Sequence, residues 1–234
     1  MSALCLPAST MPFIRRSEHE DALSSTLDPN PFPFSKSPST PNTQVSARIA
    51  KFKADLRNMP AVDVTRKHVT FGNTYLLSPD EVFLLRSEIS GHFGCHPAAV
   101  TIVGSAQLGV SIAPEKRYLP FHRKSDIDLA IVSDSVFDQI WMLARDYQAT
   151  DPNRWGDVGM FRKYLMNGWI RPDALPLVGF PRRTEWLEFL GNLKPRVKNG
   201  GFRLNAGLYR SHAFLEAYQL KSVEACRRAL ELER

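Results

Sequence analysis

Long apolar runs and cysteines are scarce in this sequence. Its 234 residues contain no apolar run of the roughly 18 residues that a helix needs to span a bilayer, so we expect neither a transmembrane helix nor a membrane partner. The three cysteines, Cys5, Cys95 and Cys226, are too few and too scattered for a disulfide framework or a zinc knuckle. A reducing cytoplasm is the compartment that fits this composition.

Targeting signals and internal repeats are also missing from the sequence. Arg15 and Arg16 are not followed by an apolar stretch and a small-residue cleavage site, so we expect no signal peptide. The acidic residues Glu18, Glu20 and Asp21 argue against an organelle transit peptide. These absences again favour a cytoplasmic protein.

The formal net charge is +6, and it is unevenly distributed. Residues 1–45 contain three basic and four acidic residues, so the rest of the chain carries +7 by subtraction. A basic domain attracts anionic partners such as nucleoside triphosphates or nucleic acid over long range. Many mildly basic proteins bind no nucleic acid, so the charge alone leaves both interpretations open.

Proline and serine dominate the first part of the chain. Residues 1–44 hold seven of the seventeen prolines and eight serines, without a sustained apolar period. Such a segment buries too little apolar surface to offset the entropy of ordering, so we predict a disordered arm over 1–44 and a folded domain over 45–234. A proline-rich arm of this kind is also a candidate for binding a partner.

Hydrophobic periodicity predicts alternating helices and strands in the domain. The sequence Ser78-Pro79-Asp80-Glu81 is typical of a helix start, because serine caps, proline fits the first turn and glutamate completes a capping box. We predict helices over 45–59, 78–93, 133–147, 157–167, 182–190 and 211–230, strands over 100–103, 126–132 and 202–209, a small hairpin over 68–77 and a turn over 198–201. The fold class is α/β, or α+β, with a small central sheet.

A pair of carboxylates stands at the start of the second predicted strand. Asp126 and Asp128 are two residues apart, so both side chains project from the same face, about 7 Å apart along the strand. Magnesium prefers oxygen ligands and is often held by one or two carboxylates together with substrate phosphates. Taken alone, an Asp-x-Asp pattern more often does no more than solvate a strand end.

A glycine and a serine directly follow the preceding predicted strand. The run Val100-Thr101-Ile102-Val103 ends at Gly104-Ser105. Glycine permits close approach of the backbone, and backbone N–H groups at a helix start can bind phosphate. An ordinary strand-to-helix turn explains the same residues if no other motif accompanies them.

The two motifs together are more specific than either alone. Ile102-Val103-Gly104-Ser105, a spacer, and then Ser125-Asp126-Ile127-Asp128-Leu129-Ala130-Ile131-Val132 resemble the signature of the polymerase β-like nucleotidyltransferase superfamily. The resemblance covers residues 98–133, about a sixth of the chain. It points to a small stand-alone member of bacterial type.

The resemblance implies a mixed sheet and a magnesium-dependent or manganese-dependent transfer of a nucleoside monophosphate, with release of pyrophosphate. Gly104 and Ser105 would contact the phosphates of ATP or another nucleoside triphosphate. Asp126 and Asp128 would be the catalytic metal ligands. The acceptor would be an RNA end, a protein or a small molecule.

Basic residues near the motifs are candidates for further nucleotide contacts. The spacer contains Glu115-Lys116-Arg117 and His122-Arg123-Lys124, which either touch the triphosphate or face solvent. We include Lys124 and Ser125 in the predicted nucleotide site. Arg210 follows the last predicted strand and is included as a phosphate ligand, although capping of the next helix by Ser211 explains the same sequence.

The sequence departs from the resemblance at the third carboxylate, which active members usually carry on a later strand. The candidate strand Phe202–Tyr209 contains no acid, and Asn205 would fill that slot with a neutral amide. An amide weakens metal binding and removes a general base for a hydroxyl acceptor. Asp157, Asp173 and Glu216 are the other acids we consider.

Three interpretations therefore compete. The leading one is a nucleotidyltransferase, and the alternative is a catalytically impaired nucleotide-binding or RNA-binding module with the same fold. A third is an interaction protein that uses its proline-rich arm.

A metal site at His92, Cys95 and His96 lacks a second cluster, so we assign these residues structural or exposed roles. Arg182, Arg183, Lys194, Arg196 and Lys198 form either an acceptor-side basic patch or a solvated face.

Overall fold

The described part of the chain begins with a helix. The computed structural model describes residues 41–150, 153–193 and 202–233, and helix α1 spans Pro41–Asn58. The helix starts four residues before Val45, where we expected order to begin, and a proline at the first helical position costs no intrahelical hydrogen bond. Residues 1–40 of the predicted arm and the turn predicted at 198–201 lie outside the described residues.

The remaining elements alternate along the described ranges. The further α-helices are α2 (Ala61–Val64), α3 (Pro79–Phe93), α4 (Gly104–Leu108), α5 (Asp134–Thr150), α6 (Val158–Leu165), α7 (Pro181–Leu193) and α8 (His212–Leu232). The strands are β1 (Val100–Val103), β2 (Ile127–Val132), β3 (Trp169–Ile170) and β4 (Leu204–Tyr209). Apart from the hairpin predicted over 68–77, each predicted helix and strand corresponds to an observed element, with ends shifted by a few residues.

The described strands form one mixed sheet in the order β1-β2-β4-β3. Strand β1 runs antiparallel to β2, β4 runs parallel to β2, and β3 runs antiparallel to β4. This arrangement confirms the predicted fold class, which is α/β (α+β) with a small mixed sheet flanked by helices. The parallel pairing aligns the first residues of β2 with the first residues of β4.

Helices cover both faces of the sheet. On one face, Leu129 and Leu208 join the large apolar core that includes side chains of α3, α5 and α7. On the other face, Ala130 and Tyr209 pack with Leu215 of α8. Because α8 also packs against α1 in a second apolar cluster, it links the first helix to the sheet.

Helix α3 begins as its sequence predicts. The Ser78 side chain accepts a hydrogen bond from the Glu81 backbone N–H at 3.3 Å, and the Ser78 N–H donates to the Glu81 carboxylate at 2.7 Å. The two bonds satisfy N–H groups that a helix start leaves without intrahelical partners. At the other end, Gly94 closes the helix in the left-handed conformation.

The hairpin predicted over residues 68–77 is wrong. Thr65–Thr70 continue α2 as a π-helical turn, and no strand forms before α3 within this described stretch. Val69, a β-branched residue that favoured a strand, is fully buried in the apolar cluster that includes side chains of α1 and α8. Burial in a tertiary contact therefore overrides the local strand propensity.

None of the described helices combines the length and the apolar content needed to cross a membrane.

Candidate active site

Six of the seven predicted site residues line one cleft. The cleft has a volume of about 710 Å³ and lies where β1 ends and where β2 and β4 begin. The predicted residues in its wall are Gly104, Ser105, Lys124, Ser125, Asp126 and Asp128. The fold thus brings together two motifs that are about 20 residues apart in the sequence.

The sheet register explains why the two aspartates share a face. Asp128 pairs with Val103 of β1 on one side and with Asn205 of β4 on the other. The amide nitrogen of Asn205 lies 3.1 Å from Oδ2 of Asp126 and 3.4 Å from Oδ1 of Asp128. A single amide group reaches both carboxylates, so both carboxylates project into the cleft side by side.

Gly104 lies directly against the second carboxylate. Its φ of +67° belongs to the left-handed region, which costs glycine little and other residues more. A Cβ atom at this position would stand 2.9 Å from Oδ2 of Asp128. Both the conformation and the available space therefore require glycine, and the Gly-Ser turn and the Asp-x-Asp pair are in direct contact.

Asn205 occupies the position on β4 that the sequence analysis considered for a third carboxylate. The other acids considered have different partners: Asp157 caps α6 by accepting from the Met160 N–H at 2.8 Å, and Glu216 forms a salt bridge with Arg66 at 2.9 Å. Asp173 lines the cleft, but it is bound by Arg171 at 2.6 Å. Within the described ranges, no group of three or more acidic, histidine or cysteine side chains is placed to hold a metal.

Arg203 is a functional candidate that the sequence analysis missed. Its guanidinium donates two hydrogen bonds to Asp126, one from Nε to Oδ1 at 3.1 Å and one from the terminal nitrogen to Oδ2 at 2.7 Å. Arg203 precedes Asn205 by two residues, so both side chains leave β4 on the same face. The two-residue spacing of Arg203 and Asn205 could have indicated that both side chains share a face. It indicates a contact with Asp126 only once β4 is known to pair in parallel with β2.

The two carboxylates differ in their electrostatic environment. Burial raises the pKa of Asp126, but the hydrogen bonds from Arg203 and Asn205 outweigh burial and hold that pKa below its usual range. Burial raises the pKa of Asp128, and the adjacent charge of Asp126 adds to the effect, while the Asn205 hydrogen bond only partly offsets it. Asp128 makes no salt bridge with any of the described residues. Asp128 is therefore the carboxylate that lacks a cation.

An aromatic wall borders the cleft beyond Asn205. The Trp169 ring stacks on Tyr209, with centroids 5.6 Å apart and planes within 4°, and lies 4.5 Å from the Tyr218 ring. Gly207 has no side chain, and the Trp169 indole fills the space that a Cβ would need. The indole N–H of Trp169 is buried and has no hydrogen-bond partner in the described part of the chain.

Gln219 is a second polar side chain near the cleft that has no hydrogen-bond partner among the described residues. It lies on α8, one turn after Leu215, and only 8% of its surface is exposed. Its side chain lines the cleft but makes no hydrogen bond to the residues that the structure describes. A buried polar group without a partner is costly in an apolar core, whereas in the wall of a cleft it is available to a ligand.

Arg210 does not belong to the cleft. Its guanidinium forms a salt bridge with Asp138 of α5 at 2.9 Å, and its backbone N–H donates to the Gly168 carbonyl. The reason is strand direction: β4 runs away from the carboxylates, so Arg210 lies five residues, or roughly 16 Å, beyond Asn205 along the chain. We therefore remove Arg210 from the candidate site.

The remaining clusters considered in the sequence have local partners. His92 stacks on Phe189 with centroids 3.8 Å apart, and burial lowers its pKa. The His96 ring accepts a hydrogen bond from the Ala98 N–H at 3.1 Å. Arg182 pairs with Glu185 on α7, while Lys194, Arg196 and Lys198 lie outside the described residues.

Comparisons with known proteins identify no relative. No protein-family model, no curated protein and no solved structure matches the chain. The motifs and the cleft geometry are therefore the basis on which a function can be assigned.

The pKa values of the two carboxylates are shifted in opposite directions, and this difference leads to a prediction for the stability of the protein in the absence of divalent cations. We expect Asp128→Asn to raise the melting temperature at pH 7, because it removes a charge whose raised pKa shows that folding disfavours it. The folded state holds the Asp128 proton more tightly than the unfolded chain, so the gain should shrink as the pH falls towards the ordinary Asp pKa of about 3.9. In a domain of this size each kcal/mol changes the melting temperature by about 2–4 °C.

We expect Asp126→Asn to lower the melting temperature, which is the opposite of the effect of Asp128→Asn. The lowered pKa of Asp126 means that its charge stabilises the fold above its ordinary pKa and that this contribution is lost as the pH falls. We expect a small loss at pH 7, since Arg203 is largely exposed to solvent. Asp138→Asn, which breaks the exposed ion pair with Arg210, is the matched control. Both variants are measured by thermal scans between pH 4.5 and 8. If Asp128→Asn is destabilised at pH 7, folding does not disfavour the charge of Asp128, and the assignment is wrong.

Proposed function

We propose that the protein is a nucleotidyltransferase that binds a nucleoside triphosphate with Mg²⁺ or Mn²⁺ and transfers the nucleoside monophosphate to an acceptor hydroxyl. The observation that carries this proposal is the contact between Gly104 and Asp128. It joins a turn suited to phosphate with a carboxylate suited to a metal ion, at one end of a cleft of about 710 Å³. Such a cleft is large enough for a nucleotide.

The donor atoms in the cleft fit a hard cation. Asp126 and Asp128 offer carboxylate oxygens, and Asn205 offers an amide oxygen if its side chain turns over, since the amide now directs its nitrogen at both acids. Oxygen ligands of this kind are those that Mg²⁺ prefers. When bound, the ion would act as a Lewis acid that offsets charge on the transferring phosphoryl group.

The charges of the cleft suit a triphosphate. Its basic side chains are Lys116, Lys124, Arg171 and Arg203, and its acidic side chains are Glu115, Asp126, Asp128 and Asp173. These numbers balance, so a cation at the aspartates would make the cleft positive and attract a polyanion. Glycine at position 104 lets phosphate approach the backbone without a side chain in the way.

In the proposed reaction, the acceptor oxygen attacks the α-phosphorus and gives its proton to water, while the bond between the α-phosphorus and the oxygen that bridges to the β-phosphorus breaks. Pyrophosphate leaves with the negative charge. Gln219 would hold the nucleoside part, because its side chain lines the cleft and has no hydrogen-bond partner in the described ranges. The Tyr218 ring, which also lines the cleft, offers a surface for stacking.

A second candidate function is a nucleotide-binding or RNA-binding module without transfer activity. Two observations favour it: a neutral Asn205 takes the position of a third carboxylate, and Arg203 already neutralises Asp126. Both would weaken metal binding. Under the enzyme proposal the acceptor is an RNA end, a protein or a small molecule, and under either proposal the N-terminal arm is a candidate for binding a partner.

We also propose that the protein is located in the cytoplasm. Cys95 and Cys226 are free thiols, as is usual in a reducing compartment.

Labelled transfer distinguishes the two functions. The protein is incubated with each α-labelled nucleoside triphosphate, Mg²⁺ and cell extract, and the labelled product identifies donor and acceptor together. We expect Asp126→Asn and Asp128→Asn each to reduce labelling at least about 100-fold, as the loss of transition-state charge stabilisation usually does. Asp138→Asn, outside the cleft, should label normally. Full activity in both cleft variants would refute the enzyme, and binding without labelling would favour the module.

Binding of inorganic tripolyphosphate with Mg²⁺ tests the Gly-Ser turn separately from the rest of the nucleotide. We expect Gly104→Val to abolish binding in calorimetry, because the new side chain would collide with Asp128 and occupy the approach to the backbone. Gly94→Val is the control, since Gly94 has a similar φ of +67° but no atom within 4 Å of its Cβ position. Equal affinities in wild type and Gly104→Val would show that the turn does not hold phosphate.

Gln219→Leu tests the nucleoside contact. We expect it to weaken binding of at least one of the four nucleoside triphosphates by roughly fivefold to tenfold, the usual effect of losing one hydrogen bond, and to leave tripolyphosphate affinity unchanged. Leucine keeps the volume, so the fold should be retained, which melting temperatures will verify. Unchanged affinity for all four triphosphates would exclude Gln219 from the nucleoside site.

A further inference from the structure

The carboxylate pair is asymmetric in a way that bears on the number of metal ions. Arg203 holds Asp126 through two hydrogen bonds at 2.7 and 3.1 Å. Asp128 has no salt bridge within the described residues, and its Oδ2 atom lies beside Gly104. One carboxylate therefore already has a cation, and the other faces the turn where phosphate is proposed to bind.

The Arg203 guanidinium competes with a metal ion for the Asp126 carboxylate. Two-metal phosphoryl-transfer sites hold their ions about 3.5–4 Å apart, and Mg²⁺ binds oxygen at about 2.0–2.1 Å. An ion bound to Asp126 would compete with Arg203, whose two hydrogen bonds already engage both carboxylate oxygens. An ion bound to Asp128 on the side of Gly104 would leave that salt bridge intact.

The total charge leads to the same conclusion. Asp126 and Asp128 carry two negative charges, Arg203 returns one positive charge, and Asn205 adds none. Two divalent cations bring four positive charges and repel each other at short range. The protein side chains of this cluster therefore have a net charge of −1 before the phosphates bind, which favours one divalent cation over two.

We propose that this site takes a single divalent cation, which Asp128 shares with the donor phosphates, and that Arg203 supplies the positive charge that a second cation would provide. This inference depends on the proposed function, because the phosphates complete the ligand set. It makes Arg203 and Asn205 the residues that determine the number of metal ions. Arg203 would also lie beside the bound phosphates.

Asn205 fits this assignment better than an aspartate would. Its amide donates to both carboxylates and holds them together without adding charge. An aspartate at the same position would place three carboxylates together, and their mutual repulsion would favour a second cation. Since Asn205 and Arg203 are both exposed, replacing them should not disturb the core.

Counting bound Mn²⁺ tests the inference without depending on activity. Mn²⁺ bound per chain is measured by equilibrium dialysis with inorganic tripolyphosphate, and electron paramagnetic resonance reports whether two ions lie close enough to couple. We expect one uncoupled ion for the wild type and two coupled ions for the double variant Arg203→Gln with Asn205→Asp. Arg203→Gln alone should tighten the first ion roughly threefold to tenfold, because it removes a nearby positive charge.

Two controls accompany these variants. Arg123→Gln removes an exposed arginine that precedes β2 and does not line the cleft, and it should bind one ion as the wild type does. Asp128→Asn should bind none. Melting temperatures without metal verify that each variant is folded.

Each other outcome has a separate meaning. Two ions on the wild type would overturn the single-cation inference and leave the proposed function intact. One ion on the double variant would show that Arg203 and Asn205 do not determine the count, which also overturns it. No ion on any variant would remove the metal site itself, and both the inference and the proposed enzyme would then fail.

Discussion

The contact between Gly104 and Asp128 is the constraint on which the arrangement of the cleft depends. It exists because β1 and β2 pair so that Val103 lies opposite Asp128, and the residue after Val103 must then turn away within a very small space. Only glycine combines the φ of +67° with the 2.9 Å clearance. A shift of one residue in this register would turn the aspartates to the other face of the sheet, into the apolar core.

The second half of the cleft comes from β4 and defines its chemistry. The parallel register sets Asn205 beside Asp128, and the residue two positions earlier, Arg203, then reaches Asp126. A neutral amide and a cation thus stand where two further negative charges would make a stronger metal site. The cleft is consequently less acidic than its Asp-x-Asp motif suggests.

The sequence was most informative where the determinants are local. The capping box at Ser78 and the strand that carries Asp126 and Asp128 are patterns of a few adjacent residues, and the predicted elements were found. Predictions that depended on distant pairing were weaker. The 68–77 hairpin is wrong because burial of Val69 outweighs strand propensity, Arg210 was misassigned because the direction of β4 was unknown, and Arg203 was missed because its partner is 77 residues away.

That separation along the chain has a kinetic consequence. The β1–β2 half of the cleft closes a connection of about 23 residues, whereas helices α5 to α7 and strand β3 separate β2 from β4 along the chain. Parallel pairing over such a distance is intrinsically slow, because loop-closure entropy must be overcome before the contacts form. The carboxylates should therefore face each other early in folding, as repelling neighbours, and acquire Arg203 and Asn205 only in the late step that completes the sheet.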